Sequence, residues 1–177
     1  GRTLLNKVKK DLGGNYLPII AEDLGVITPD VDKLRKNFKL PGMKILQFAF
    51  DGNIDNPYLP KNIEGENWVV YTGTHDNSTS TAWWECLDSN SQSRIRDEFK
   101  FSENPSWNLI GIGMHTNANL FIAPIQDILS LNDSCRLNKP GTIKNNWKWK
   151  LNQSLEEIEV NLKNFSELGR NSGRIRN

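Results

Sequence analysis

The chain has 177 residues, with 22 Lys and Arg against 21 Asp and Glu. That length predicts one domain, and the charge balance excludes a phosphate-tracking nucleic-acid binder, which needs a basic surplus. Its 37% hydrophobic and 24% charged residues are those of a globular chain, and no apolar run reaches the roughly 18 residues of a membrane span.

The first segment, GRTLLNKVKK, has no initiator Met and no apolar signal core. Leu4, Leu5, Val8 and Leu12 recur at helical spacing and Gly13-Gly14 supplies a stop. LPIIA (residues 17–21) predicts a strand leaving through Glu22-Asp23. Thr28-Pro29-Asp30 predicts a helix start, with Val31, Leu34 and Phe38 on its apolar face and Lys33, Arg35 and Lys36 toward solvent. Pro41-Gly42 ends it. A second strand is expected at MKILQFAF (43–50), and a third at WVVYTG (68–73). Helices are expected over 79–87, 94–101 and 107–117. A fourth strand is expected at ANLFIA (118–123), then a short helix from Pro124 to Leu131, and a last helix over 154–168. The tail RNSGRIRN reads as a solvated basic end. Apolar strands alternating with helices predict about four parallel βα units.

Cys86 and Cys135 form neither a disulfide framework nor a metal motif, so a reducing compartment is expected. Polar residues gather at the strand exits: Glu22 and Asp23 after the first, Asp51 after the second, and Thr74-His75-Asp76-Asn77 after the third. Parallel α/β folds build active sites at these carboxyl ends. Glu22 and Asp76 would then meet at one mouth, as acid catalysis at a glycosidic bond requires. One carboxyl gives a proton to the leaving oxygen, and others stay ionised against the positive charge of the sugar ring. His75 would grip a sugar hydroxyl or orient Asp76. Tyr58, Trp68, Trp83 and Trp84 offer faces for sugar stacking, although one of the Trp pair is expected in the core. Two other readings stay open. Asp23 could be a helix cap, and Glu22, His75 and Asp76 could hold a metal.

The runs IIAEDLGVITPDVDKLR, LPGMKILQFAF, NPYLP, VVYTGTHDN and NKPGT followed by NWKWKL resemble the 4-alpha-glucanotransferases (amylomaltases or disproportionating enzymes). The resemblance extends from about Leu17 to Leu151. It implies the C-terminal part of a (β/α)8 barrel, with residues 1–177 a single barrel fragment ending in a helix and basic tail over 154–177. The implied activity is transfer of α-1,4-glucan segments to the 4-hydroxyl of an acceptor glucan or glucose, by retaining double displacement without metal or organic cofactor. Its implied partners are maltooligosaccharides, starch- or glycogen-derived dextrins and glucose, in the cytoplasm or a plastid.

By position, Glu22 matches the family's general acid/base, whose pKa is expected to be raised. Asp76 matches the third carboxylate, and His75 its sugar-binding neighbour. Asp51 and Asn146 match positions in contact with glucan. Departures stand at Lys61-Asn62, Ser78-Thr79-Ser80 and Ala82. The family's nucleophile, an Asp in Arg-x-Asp-His, has no counterpart upstream of Glu22. A barrel takes about 250 residues, so the resemblance predicts a partial barrel with open sheet edges. The alternative is a glucan-binding remnant without catalysis.

Overall fold

The computed structural model describes residues 1–14 and 16–175. At its centre is a parallel sheet of β1 (Gly42–Ile45), β2 (Trp68–Tyr71) and β3 (Leu120–Ile122), in the order β1-β2-β3. Gly42 pairs with Trp68, and Tyr71 pairs with both Ile45 and Ile122. Successive strand residues face opposite sides of a sheet. Val69 and Val70 are both buried, so both faces of β2 are covered, as in α/β layering.

Helix α1 (Arg2–Asp11) precedes the sheet, and α2 (Pro29–Asn37) leads into β1. Helices α3 (Ser80–Glu85), α4 (Ser89–Phe99) and α5 (Pro105–Met114) fill the crossover from β2 to β3. After β3 come α6 (Ile125–Ile128) and α7 (Leu155–Asn171). Leu46, Phe50, Val70, Trp84, Ile95, Phe101 and Leu109 form the main core under the crossover. Ile110, Met114 and Ile128 form a second cluster, against which Phe165 and Leu168 of α7 pack.

Three strands stand among the described residues where four were expected. Residues 17–21 form no strand: among the described residues their backbone tie toward β1 is one bond, from the Ala21 N–H to the carbonyl of Pro41, just before that strand, at 2.8 Å. One bond is not a ladder, and Ile19 and Ile20 are exposed. The strand expected over 43–50 ends at Ile45, where Leu46–Phe48 winds into a 3-10 turn. That turn sends Leu46 into the core and lets Gln47 reach Ser78.

The helix expected over 94–101 begins earlier, at Ser89, because the Asp88 carboxylate accepts the Asn90 and Ser91 N–H groups. It stops at Lys100, whose φ is +57°. Asn104 likewise caps α5 before Pro105. Ser154 and Glu157 form a reciprocal capping box at α7.

Two charge assignments are corrected. Arg35 does not face solvent. It is 6% exposed, with Nε 3.1 Å from Asp23 Oδ2 and its guanidinium 4.5 Å from the Trp68 ring centre. The tail is not simply solvated either. Arg174 donates to the carbonyls of Gly113, Met114, Thr116 and Ala118, which satisfies the end of α5 and the turn into β3.

Candidate active site

The chain leaves β2 at Tyr71 and crosses to α3 through residues 72–79. Both ends of this loop bond to one carboxylate. Asp127 of α6 accepts the Thr72 hydroxyl at 2.5 Å, the Ser80 N–H at 2.7 Å and the Ser80 hydroxyl at 2.8 Å. Asp127 is 1% exposed, and burial raises its pKa against these three bonds, which lower it. Asn77 closes the start of the loop by accepting the Thr74 N–H and hydroxyl. Gln47 donates to the Ser78 carbonyl at 3.0 Å.

The middle of the loop presents His75 and Asp76, each about half exposed. His75 Nε2 lies 3.3 Å from Asp76 Oδ1. The same oxygen accepts the Asn138 side-chain N–H at 2.5 Å. Asn138 also donates its backbone N–H to the His75 carbonyl at 3.1 Å. Arg136 donates to the Asp76 carbonyl at 2.5 Å and to the Ser78 hydroxyl at 3.0 Å. The Trp147 ring lies over His75, held there by its own N–H bonded to the Leu137 carbonyl at 2.7 Å.

Across the mouth stands Glu22, exposed just after residues 17–21. Its backbone is held on either side, by the Ala21 bond to Pro41 and by Asp23. Asp23 is not a helix cap: it accepts the Met43 N–H at 2.6 Å and pairs with Arg35. Burial first, and the Glu22 charge second, raise the pKa of the Tyr71 phenol. Glu22, His75 and Asp76 all line one open cleft of about 760 Å³ at the strand exits, together with Met43, Phe48, Tyr71, Asp127 and Arg136.

Asp51 and Asn146 are not among the residues lining this cleft. Asp51 turns its own loop by accepting the Asn53 N–H, and the Asn56 side chain first, then that N–H, lower its pKa. Asn146 closes the 139–146 loop through the Lys139 N–H and the Thr142 carbonyl. The aromatic residues expected at the mouth also stand elsewhere. Trp68 opens β2 at the end of the sheet away from the exits, while Trp83 and Trp84 pack on the core. Tyr58 packs on that core as well. Among the described residues no group of three or more His, Cys, Asp and Glu is arranged to hold a metal ion. Cys86 and Cys135 are free thiols.

Sequence reasoning missed Asp127, Arg136, Asn138 and Trp147. Asn138 and Trp147 lie inside the NKPGT and NWKWKL runs, so a signal for both was present. Asp127 and Arg136 sit in no distinctive motif.

A parallel sheet with covering helices, and with acid and imidazole groups lining a cleft beside it, defines an α/β chain. The family model for 4-alpha-glucanotransferases (glycoside hydrolase 77) matches residues 1–156, and the chain belongs to that family. It is 46% identical over 152 residues to a 4-alpha-glucanotransferase of Synechocystis, covering 85% of this chain and 30% of that protein. It is 42% identical over 179 residues to a chloroplastic/amyloplastic 4-alpha-glucanotransferase of Arabidopsis thaliana, covering 99% of this chain and 31% of that protein. The solved amylomaltase of Streptococcus agalactiae, in complex with acarbose, matches 98% of this chain and 35% of its own, with a TM-score of 0.88 and 29% identity. The chain thus spans about 30% of the length of the relatives it matches.

Proposed function

We propose that this chain forms the acid/base wall of a retaining 4-alpha-glucanotransferase within a (β/α)8 barrel. The supporting observation is that Glu22, His75 and Asp76 line one cleft at the exits of a parallel sheet in a member of this family. Glu22 protonates the leaving glycosidic oxygen and later takes the proton of the incoming 4-hydroxyl. Asp76 accepts hydrogen bonds from hydroxyls of the sugar bound at the reacting centre, and His75 holds a neighbouring hydroxyl. The substrates are α-1,4-glucans and glucose, and the acarbose bound by the related amylomaltase is a suitable probe. Asp51 and Asn146 touch glucan only in its reach beyond the central cleft.

The 177 residues contain no Arg-x-Asp-His, so they supply no counterpart of the family's nucleophile. The purified chain therefore binds acarbose but releases no glucose from maltotriose; measurable release would overturn this. In a catalytically competent barrel carrying this chain, Glu22→Gln abolishes transfer and keeps acarbose binding. Transfer retained in that variant would sink the acid/base assignment.

A second reading is a glucan-binding chain without bond cleavage, in which His75 and Asp76 hold sugar hydroxyls in the same cleft. Placing the unsubstituted chain in a competent barrel separates the two, because a remnant gains no activity from completion. No described helix is long and apolar enough to cross a membrane. The chloroplastic/amyloplastic location of the Arabidopsis relative and the bacterial source of others support a plastid or cytoplasmic setting.

A further inference from the structure

Asp76 has two carboxylate oxygens, and the protein treats them differently. Oδ1 accepts the Asn138 side-chain N–H at 2.5 Å and faces His75 Nε2 at 3.3 Å. Among the described residues Oδ2 has no hydrogen-bond partner. A carboxylate free to rotate about its last bond would present either oxygen to the cleft. The Asn138 bond, with His75 close on the other side, restrains that rotation and leaves Oδ2 as the acceptor for a ligand. Terminal sp³–sp² torsions such as this one are otherwise broad and roughly two-fold.

We propose that Asn138 is a positioning residue: it locks the Asp76 carboxylate so that Oδ2 faces the sugar. The inference rests on the reading of Asp76 as the hydroxyl-gripping carboxylate. Asn138 is suited to this because its backbone is itself tied to the loop that carries Asp76. Its N–H bonds the His75 carbonyl, and Arg136, two residues earlier, holds the Asp76 carbonyl and the Ser78 hydroxyl. The donor and the carboxylate therefore move as one unit. A neutral amide also fits better than an ammonium. Arg136 already supplies positive charge to the back of the loop, and a second cation on Oδ1 would compete with sugar hydroxyls for the carboxylate's charge.

The test is a double-mutant cycle on the full 177-residue chain, with acarbose affinity measured by calorimetry. Hydrogen bonds to charged groups are the stronger ones, so Asn138→Ala is expected to weaken binding by roughly tenfold. In the Asp76→Ala background the same substitution is expected to cost nothing further, because there is no carboxylate left to orient. A residue that only supports the fold would lower affinity equally in both backgrounds, and that outcome overturns the proposal. Asn138→Ser, which keeps a short donor, is expected to recover part of the affinity.

A second readout is independent of glucan. In carboxyl-labelled protein the Asp76 side-chain carbon resonance is expected to shift in Asn138→Ala and to stay put in Ser102→Ala, a remote surface change. An unmoved resonance in Asn138→Ala overturns the proposal. If wild type does not bind acarbose, the functional reading fails, and the resonance alone decides the role of Asn138.

Discussion

The indole of Trp147 lies against the imidazole of His75, with ring centres 5.0 Å apart and planes 40° from parallel. To reach there the Trp147 backbone adopts φ = +61°, a left-handed conformation that a bulky side chain rarely accepts. Strain of this kind persists where the surroundings over-determine it. Here the Leu137 carbonyl takes the Trp147 N–H, and Asn146 closes the loop just before it.

The strain and the stacking should separate in Trp147→Gly. Glycine enters the left-handed region freely, which removes a cost of about 1–2 kcal/mol, and the lost side chain is largely exposed. Thermal stability is therefore expected to hold or rise. Acarbose affinity is expected to fall roughly 2- to 10-fold, from loss of an aromatic contact of about 0.5–1.5 kcal/mol. Calorimetry beside a melting curve checks both, and unchanged affinity would remove Trp147 from the site.

Asp23 and Lys36 offer a contrast in ion pairs. Asp23→Ala removes one of the two carboxylates 3.1 Å from the buried Arg35, the other being Asp32, and leaves the Met43 N–H without an acceptor. Urea unfolding is expected to show a loss of about 1–3 kcal/mol. Lys36→Ala removes an exposed pair with Asp32 and is expected to cost under about 0.5 kcal/mol. Equal losses in the two variants would contradict the burial argument.

Arg174 binds four carbonyls around the end of α5. Arg174→Ala should destabilise the chain by about 1.5–3 kcal/mol. Arg174→Lys should recover little of it, since one ammonium cannot reproduce the planar fork. Deletion of residues 174–177 is expected to match Arg174→Ala in denaturant unfolding.

Asp127 makes stability depend on pH in a definite direction. Burial raises its folded pKa, so the fold prefers the neutral carboxyl. Its stabilising contribution is full below the unfolded pKa and declines as pH rises through the folded one. Wild type should therefore lose melting temperature relative to Asp127→Asn as pH rises above about 4, the unfolded carboxylate value. A difference that stays constant as pH rises would mean that Asp127 does not change charge.

The legible parts of this molecule are those in which a local run of residues decides the outcome. WVVY became β2 because adjacent apolar residues suit a strand covered on both faces, and Glu22, His75 and Asp76 stood out in short polar runs at strand exits. LPIIA has the same local character, yet a strand also needs a partner with matching bonds, and residues 17–21 find one bond only. Arg35 looked solvent-facing beside Lys33 and Lys36. Its burial depends on Asp23 and Trp68, which meet it only in space. Arg136 was invisible as a site residue for the same reason, and the NKPGT run that holds Asn138 did not say what Asn138 meets: the two bond to Asp76 from 60 and 62 residues away.

Thr72 and Ser80 end on a single carboxylate, that of Asp127. A span with both abutments on one pier transmits little of what happens along its deck. Substitutions over residues 75–78 therefore change what the cleft grips while β2 and α3 keep their places. The loop is in effect mechanically insulated, so a change of shape within it is not passed on to the sheet.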